Sequence, residues 1–127
     1  MLSGGEVILM KIKESGVILF TENYEQAVEY YVDKIGLSIR LKSDDLTFLN
    51  FGESYLLIEG TGVASKKEKT REQNSVCLRI EVYDFEQTVY DLIGRGLIVE
   101  VKRFDWGTIG VIIDPEGNRI EIKDGIL

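Results

Sequence analysis

Apolar and polar positions along the chain follow two rhythms, and the same succession of rhythms occurs twice. Val76, Leu78, Ile80 and Val82 are all apolar while Cys77, Arg79, Glu81 and Tyr83 lie between them, and Val17 and Leu19 likewise oppose Gly16, Ile18 and Phe20. A period of two predicts strands that turn one face to a core. After each strand the spacing becomes helical, with Ala27, Val28, Tyr31 and Ile35 on one stripe and Val89, Leu92 and Ile93 on its counterpart. Asn23 and Asp84 stand where a side chain can accept from the first free helix amides, and Gln26 and Gln87 follow three residues later, as in a capping box. Gly36, and Gly94 or Gly96, suit left-handed helix ends.

Three β-like runs follow each helix: Leu37 to Lys42, Leu46 to Phe51 and Tyr55 to Glu59, then Leu97 to Lys102, Thr108 to Ile113 and Arg119 to Ile122. Ser43-Asp44-Asp45, Gly52-Glu53-Ser54 and Asp114-Pro115-Glu116-Gly117-Asn118 supply turn chemistry between them. Each half therefore reads βαβββ, and aligning Asn23 with Asp84 sets the repeat offset at 61. The chain is expected to be one α+β domain over residues 1–127, with modules at about 14–60 and 75–124 in a pseudo-two-fold arrangement. The mixed-charge segment 61–74, which contains Lys66-Lys67-Glu68-Lys69-Thr70-Arg71-Glu72, reads as a solvated linker. Leu56 and Ile58 oppose Tyr55, Leu57 and Glu59, and Ile120 and Ile122 oppose Arg119 and Glu121. Each half thus offers a second sheet face that mixes polar with large apolar groups, and the two faces together predict a curved mixed sheet around a cleft.

Composition narrows the chemistry. The 127 residues are 44% hydrophobic and 29% charged, as in ordinary globular domains and unlike disordered chains. One cysteine cannot close an intrachain disulfide, which points to a reducing, cytoplasmic setting. A net charge of −7 repels phosphate backbones and anionic lipid, so neither nucleic acid nor a membrane is an expected partner. Histidine is absent, which removes Ser-His-Asp and Cys-His catalysis and every imidazole metal ligand.

The opening strand and helix with Asn23, Tyr30-Tyr31 and Gly36-Leu37, the second opening at Asp84, and the closing Asp114-Pro115-Glu116-Gly117-Asn118-Arg119-Ile120-Glu121 resemble the vicinal oxygen chelate superfamily. Its members include glyoxalase I, extradiol dioxygenases and bleomycin-resistance proteins. The likeness runs from about Lys11 onward, so Met10 is an alternative start, and Met1-Leu2-Ser3-Gly4-Gly5 matches neither strand nor cap. The resemblance implies metal-ligand positions at Gly16, Glu59, Cys77 and Glu121. The repeat offset agrees with that register, as Gly16 and Cys77 differ by 61 and Glu59 and Glu121 by 62. Glycine has no donor atom, and Arg79 and Arg119 share the face of Glu121, where guanidinium groups disfavour a divalent cation. A site of Glu59, Cys77 and Glu121 with an open water position stays chemically allowed.

Each candidate has a plainer reading. Cys77 is a small, partly buried core residue or a ligand. Glu59 and Glu121 are carboxylates neutralised by arginine, or a facing pair in which one becomes a general base. Trp106 is an aromatic wall against a planar ligand or a cover for the core edge, and Phe20 and Tyr55 are core or platform. The leading expectation is a metal-free small-molecule binding protein, similar to the drug-sequestering members, with no cofactor and a cleft walled by Phe20, Tyr55, Cys77 and Trp106 and charged by Glu59, Arg79, Arg119 and Glu121. The resemblance also implies a homodimer in which both chains shape each site. The alternative is a metal-dependent glyoxalase-like lyase or isomerase, or a dioxygenase, using Glu59 and Glu121 catalytically. A module that serves only dimerisation is the third.

Overall fold

A computed structural model of the protein describes residues 8–125; the expectation about Met1 to Gly5 falls outside the described residues. The first module comprises β1 (Gly16–Phe20), α1 (Tyr24–Glu29), β2 (Ile39–Lys42), β3 (Leu46–Phe51) and β4 (Ser54–Glu59), and the second β5 (Leu78–Val82), α2 (Phe85–Gly94), β6 (Glu100–Phe104), β7 (Gly107–Ile113) and β8 (Arg119–Asp124). The eight strands form two four-stranded mixed sheets ordered β1-β4-β3-β2 and β5-β8-β7-β6. In each, the first and last strands of the module pair in parallel across the helix and the remaining pairs are antiparallel. No helix among the described residues is long and apolar enough to cross a membrane.

The helices differ in a way that the chain length explains. The first holds one residue more between its opening polar residue and its closing glycine, Asn23 to Gly36 against Asp84 to Gly96. The extra residue is absorbed by π-helical winding over Tyr30–Ile35, which directly continues α1. Gly36 then closes the helix at φ 98°, with its own amide and that of Leu37 on the Tyr31 carbonyl. Gly96 does the same for α2 at φ 92°. Leu97, expected to begin a strand, is instead a buried residue of the turn after Gly96, and β6 starts three residues later.

Both helix-bearing sheet faces contribute to one hydrophobic cluster. Leu49, Leu56 and Ile58 from the first sheet join Leu78, Ile112, Ile120 and Ile122 from the second, with Ala27, Val28, Tyr31 and Ile35 from the first helix and Leu92 from α2. The predicted first-helix stripe is therefore buried throughout. Two expectations fail at the margins of the second: Ile93 is exposed, lying on the outer side of the stripe, and Val76 is exposed because β5 begins only at Leu78. Since one core gathers both helix faces, the other face of each sheet looks away from it.

The Asp114–Asn118 turn between β7 and β8 clasps the modules together. Asp114 accepts from the Tyr31 hydroxyl at 2.6 Å and from the amides of Glu116 and Asn118 within its own turn. Burial and the neighbouring Asp114 charge push the Tyr31 phenol well above its usual range. Glu116, almost wholly buried, accepts from the amides of Glu22 and Asn23 at 2.8 and 2.9 Å. This corrects the capping expectation for the first helix: Asn23 makes no side-chain cap, because a carboxylate from the other module already occupies the positive helix end. Asp84 caps α2 as expected, through the Gln87 amide. Beyond the clasp, Lys34 donates to the Arg95 carbonyl and Arg95 to that of Lys34, joining the two helix ends.

Segment 61–74 is largely exposed, as a polar linker should be, yet it is fastened to the same turn. The Ser65 and Lys69 amides donate to the carbonyls of Glu116 and Gly117, and Lys69 Nζ and Asn74 Nδ2 both reach Asn118 Oδ1. Gly117 permits this approach twice over: its φ is 88°, and a Cβ there would lie 2.6 Å from the Lys67 carbonyl oxygen.

Candidate functional site

On the outward face of the second sheet, alternation along β5 and β8 and their parallel register bring Arg79 beside Glu121. Arg79 donates to Glu121 Oε1 at 2.7 Å, and Arg119 Nε donates to Oε2 at 2.9 Å, so both carboxylate oxygens are engaged. Arg119 extends the chain of charges to Glu68 of the linker at 3.4 Å. Burial by itself would push the Glu121 carboxyl up; the hydrogen bonds and charges of the two guanidinium groups outweigh it and hold it below its usual value. A carboxylate so held is a poor general base and a strong anchor for two cations. On the other side of Arg79 its guanidinium lies 5.4 Å from the Trp106 ring, which stacks on Phe104 with centroids 4.9 Å apart and planes within 5°.

Beside this ladder opens a cavity of about 480 Å³, bounded by Cys77, Arg119 and Glu121 from the second module and by Lys69, Arg71 and Asn74 from the linker. Cys77 is exposed, which corrects the reading of it as a partly buried core residue: it precedes β5 and stands at the cavity wall. Partial burial and the Glu121 charge push its thiol up, so the sulfur is neither an activated nucleophile nor a ready thiolate ligand. A second cavity of about 490 Å³ adjoins the first, with Ile18 and Phe20 of β1 on one side and Val63, Lys69 and Asn74 of the linker on the other.

The structure does not assemble all the expected residues. Tyr55 lies at the far end of β1 and β4, over Gly16, in edge contact with Phe48 and 5.8 Å from the Arg40 guanidinium. Glu59 borders neither cavity, and its backbone carbonyl holds Thr21. Strand register also corrects the proposed equivalence of Glu59 and Glu121. Val17 pairs with Leu56 and its repeat counterpart Leu78 with Ile120, so Leu57 is the counterpart of Glu121, and Glu59 that of Lys123. The similar sequence offsets misled because the second module holds three more residues between its paired strands.

A metal ion finds no fitting donor set here. At the first implied position a Cβ on Gly16 would collide with the Tyr55 ring, at the second the register puts buried Leu57, and Glu121 is saturated by arginine. Among the described residues no group of three or more cysteine or acidic side chains gathers to hold a cation.

Sequence reasoning missed the linker's share of the site. Lys69, Arg71 and Asn74 sat inside a charge run with no apolar stripe, the ordinary mark of a solvated segment. The signal that could have found them is the polar Asn118, which follows a glycine and accepts through its side-chain oxygen from Lys69 and Asn74.

With this geometry in view, comparison with known proteins places the fold. The profile of the Glyoxalase/Bleomycin resistance protein/Dioxygenase superfamily matches residues 15–122, and the chain belongs to that superfamily. It is similar to the uncharacterized protein YraH of Bacillus subtilis strain 168, at 27% identity over 117 residues, covering 82% of this chain and 91% of YraH. Among solved structures it is similar to the bleomycin-binding protein of Streptomyces verticillus complexed with copper(II)-bleomycin (TM-score 0.68, 19% identity, 92% and 99% of the two chains). It is also similar to a lactoylglutathione lyase of Agrobacterium tumefaciens (TM-score 0.69, 18% identity, 87% and 92% of the two chains). At these identities the structural likeness establishes the fold.

Proposed function

We propose that the protein is a cytoplasmic small-molecule binding protein that works without a metal, holding its ligand on the outward face of the second sheet against the linker. The observation that carries this reading is the joint arrangement of an open cavity, an aromatic-guanidinium ladder and a carboxylate already saturated by Arg79 and Arg119. A few placed polar groups beside aromatic surface suit ligand recognition. The bleomycin-binding neighbour, which holds copper(II)-bleomycin, supports a sequestering role, and the lyase neighbour supports the catalytic alternative. That alternative, a metal-dependent lyase, isomerase or dioxygenase, requires donors where this chain has Gly16, Leu57 and a twice-paired Glu121.

The protein acts as a homodimer on this reading. Phe104 and Trp106, stacked and each about half exposed, present apolar surface beside the second sheet, and a second copy would cover it. Thermal melting with zinc, nickel, manganese or iron(II), together with metal analysis of the purified protein, tests the metal-free claim. No bound metal and no shift are expected, since a cation at 100 times its Kd would stabilise the fold by about 2.7 kcal/mol. Stoichiometric metal that is lost in Glu121→Gln would overturn the proposal in favour of the enzyme. Sedimentation equilibrium should give twice the mass of the chain; a strict monomer would remove the dimer from it.

A further inference from the structure

We infer that the ligand is an amphiphilic organic anion that spans both cavities, its anionic group beside Lys69 and Arg71 and its apolar part against Ile18 and Phe20. The inference rests on the binding reading above and names the ligand class. The molecule as a whole carries a net charge of −7, yet the first cavity is bounded by four cations, Lys69, Arg71, Lys102 and Arg119, and only two anions, Glu68 and Glu121.

Those two carboxylates are already committed. Glu121 takes both Arg79 and Arg119, and Glu68 takes Arg119. Lys102 pairs with Glu100 at 3.4 Å. What remains is a pair of cations from the linker. Among the described residues Arg71 has no acidic partner, and Lys69 Nζ is held at 3.2 Å by Asn118 Oδ1, a neutral amide oxygen that orients the ammonium without cancelling its charge. A locally positive cavity on an acidic protein attracts anions, and a guanidinium and an ammonium on one wall offer forked and single donors to a carboxylate, sulfonate or phosphate group.

The apolar half follows from the shared wall. Lys69 and Asn74 border both cavities, so the two lie side by side and a molecule held at Lys69 is within reach of the second. There Ile18, Phe20 and Val63 present apolar surface, and Phe20 and Ile18 are each about half exposed, 51% and 47%. The second cavity is therefore mixed, with its apolar side on β1 and Val63 and its polar side on the shared wall, as an amphiphile requires.

The test uses the full chain and three probes: the anion 1-anilinonaphthalene-8-sulfonate, its neutral analogue N-phenyl-1-naphthylamine, and the cation thioflavin T, followed by dye fluorescence and by quenching of Trp106, the single tryptophan. The sulfonate should bind at least about tenfold more tightly than the neutral analogue, the discrimination of one charge-assisted hydrogen bond, and that advantage should shrink as salt rises. Arg71→Ala, at an exposed residue, should remove most of the advantage without changing the melting temperature, whereas Phe20→Ala should weaken both naphthyl probes alike. Equal binding of the neutral analogue, tighter binding of thioflavin T, or sulfonate affinity unchanged in Arg71→Ala would overturn the anion assignment while leaving a small-molecule site in place. Binding of none of the three would overturn both that assignment and the binding reading on which it rests.

Discussion

The outward faces of the two sheets occupy equivalent places in the repeat and have opposite chemistry. On the first, Gly16 is covered by Tyr55, Leu57 is buried, and the ring packs on Phe48. On the second, the counterparts of Gly16 and Leu57 are Cys77 and Glu121, the cysteine stands at the cavity wall, and the carboxylate sits between two arginines. The inward faces kept one character, since Leu56 and Ile58 match Ile120 and Ile122, all essentially inaccessible to solvent. Duplication thus preserved the half of each module that must exclude water and released the other half to diverge, one side toward an apolar, aromatic surface and the other toward a charged, ligand-sized opening.

The largest effects should come from the preserved half. Leu56→Ala and Ile120→Ala, at equivalent register positions, should each cost about 2–5 kcal/mol in urea unfolding, within about 1 kcal/mol of one another. A large inequality would break the equivalence. The divergent half should respond unequally: Gly16→Ala drives a methyl into the Tyr55 ring and should cost about 1–3 kcal/mol, whereas Cys77→Ala should stay within about 0.5 kcal/mol. Helix starts should also differ, because α1 is held from the other module and α2 by its own cap. Glu116→Ala, which strands the Glu22 and Asn23 amides, should cost about 1–3 kcal/mol, against about 1 kcal/mol for Asp84→Ala.

The smallest effect is one of pH. Glu121 is held below its ordinary carboxyl value of 4.5 in the folded protein, so the unfolded chain binds its proton first as acid is added. Its contribution is therefore complete well above pH 4.5 and is lost as pH falls below 4.5 through the folded value. With both arginines partly exposed, that contribution should be under about 1 kcal/mol. Glu121→Gln should remove this part of the acid dependence of stability, and an unchanged profile would show that the guanidinium pairs contribute nothing measurable.

Much of the fold was legible because it is written in local periods. The alternation in Leu78 to Val82, the stripe Ala27, Val28, Tyr31 and Ile35, and the glycines at 36 and 96 each act within a few residues, and each is found where the pattern put it. Arg79, Arg119 and Glu121 were legible as neighbours on one face for the same reason. Glu59 was not, because equivalence across the repeat depends on how many residues lie between paired strands, and a nearly equal offset in sequence hid a different register. Asn23 failed as a cap for another reason: a nonlocal carboxylate, Glu116, was already there.

By itself, then, the sequence determined two βαβββ modules, their core faces, an acidic chain without histidine, and a charged face on β5 and β8. Only the tertiary structure decided that the Asp114–Asn118 turn clasps the helix of the other module, that the charge run at 66–72 is fastened beside that face, and that Lys69 and Arg71 complete a cavity with it. The division has a physical cause: periodicity and capping arise from interactions a few residues long, whereas a cavity is made by groups that chain closure brings together from about fifty residues apart.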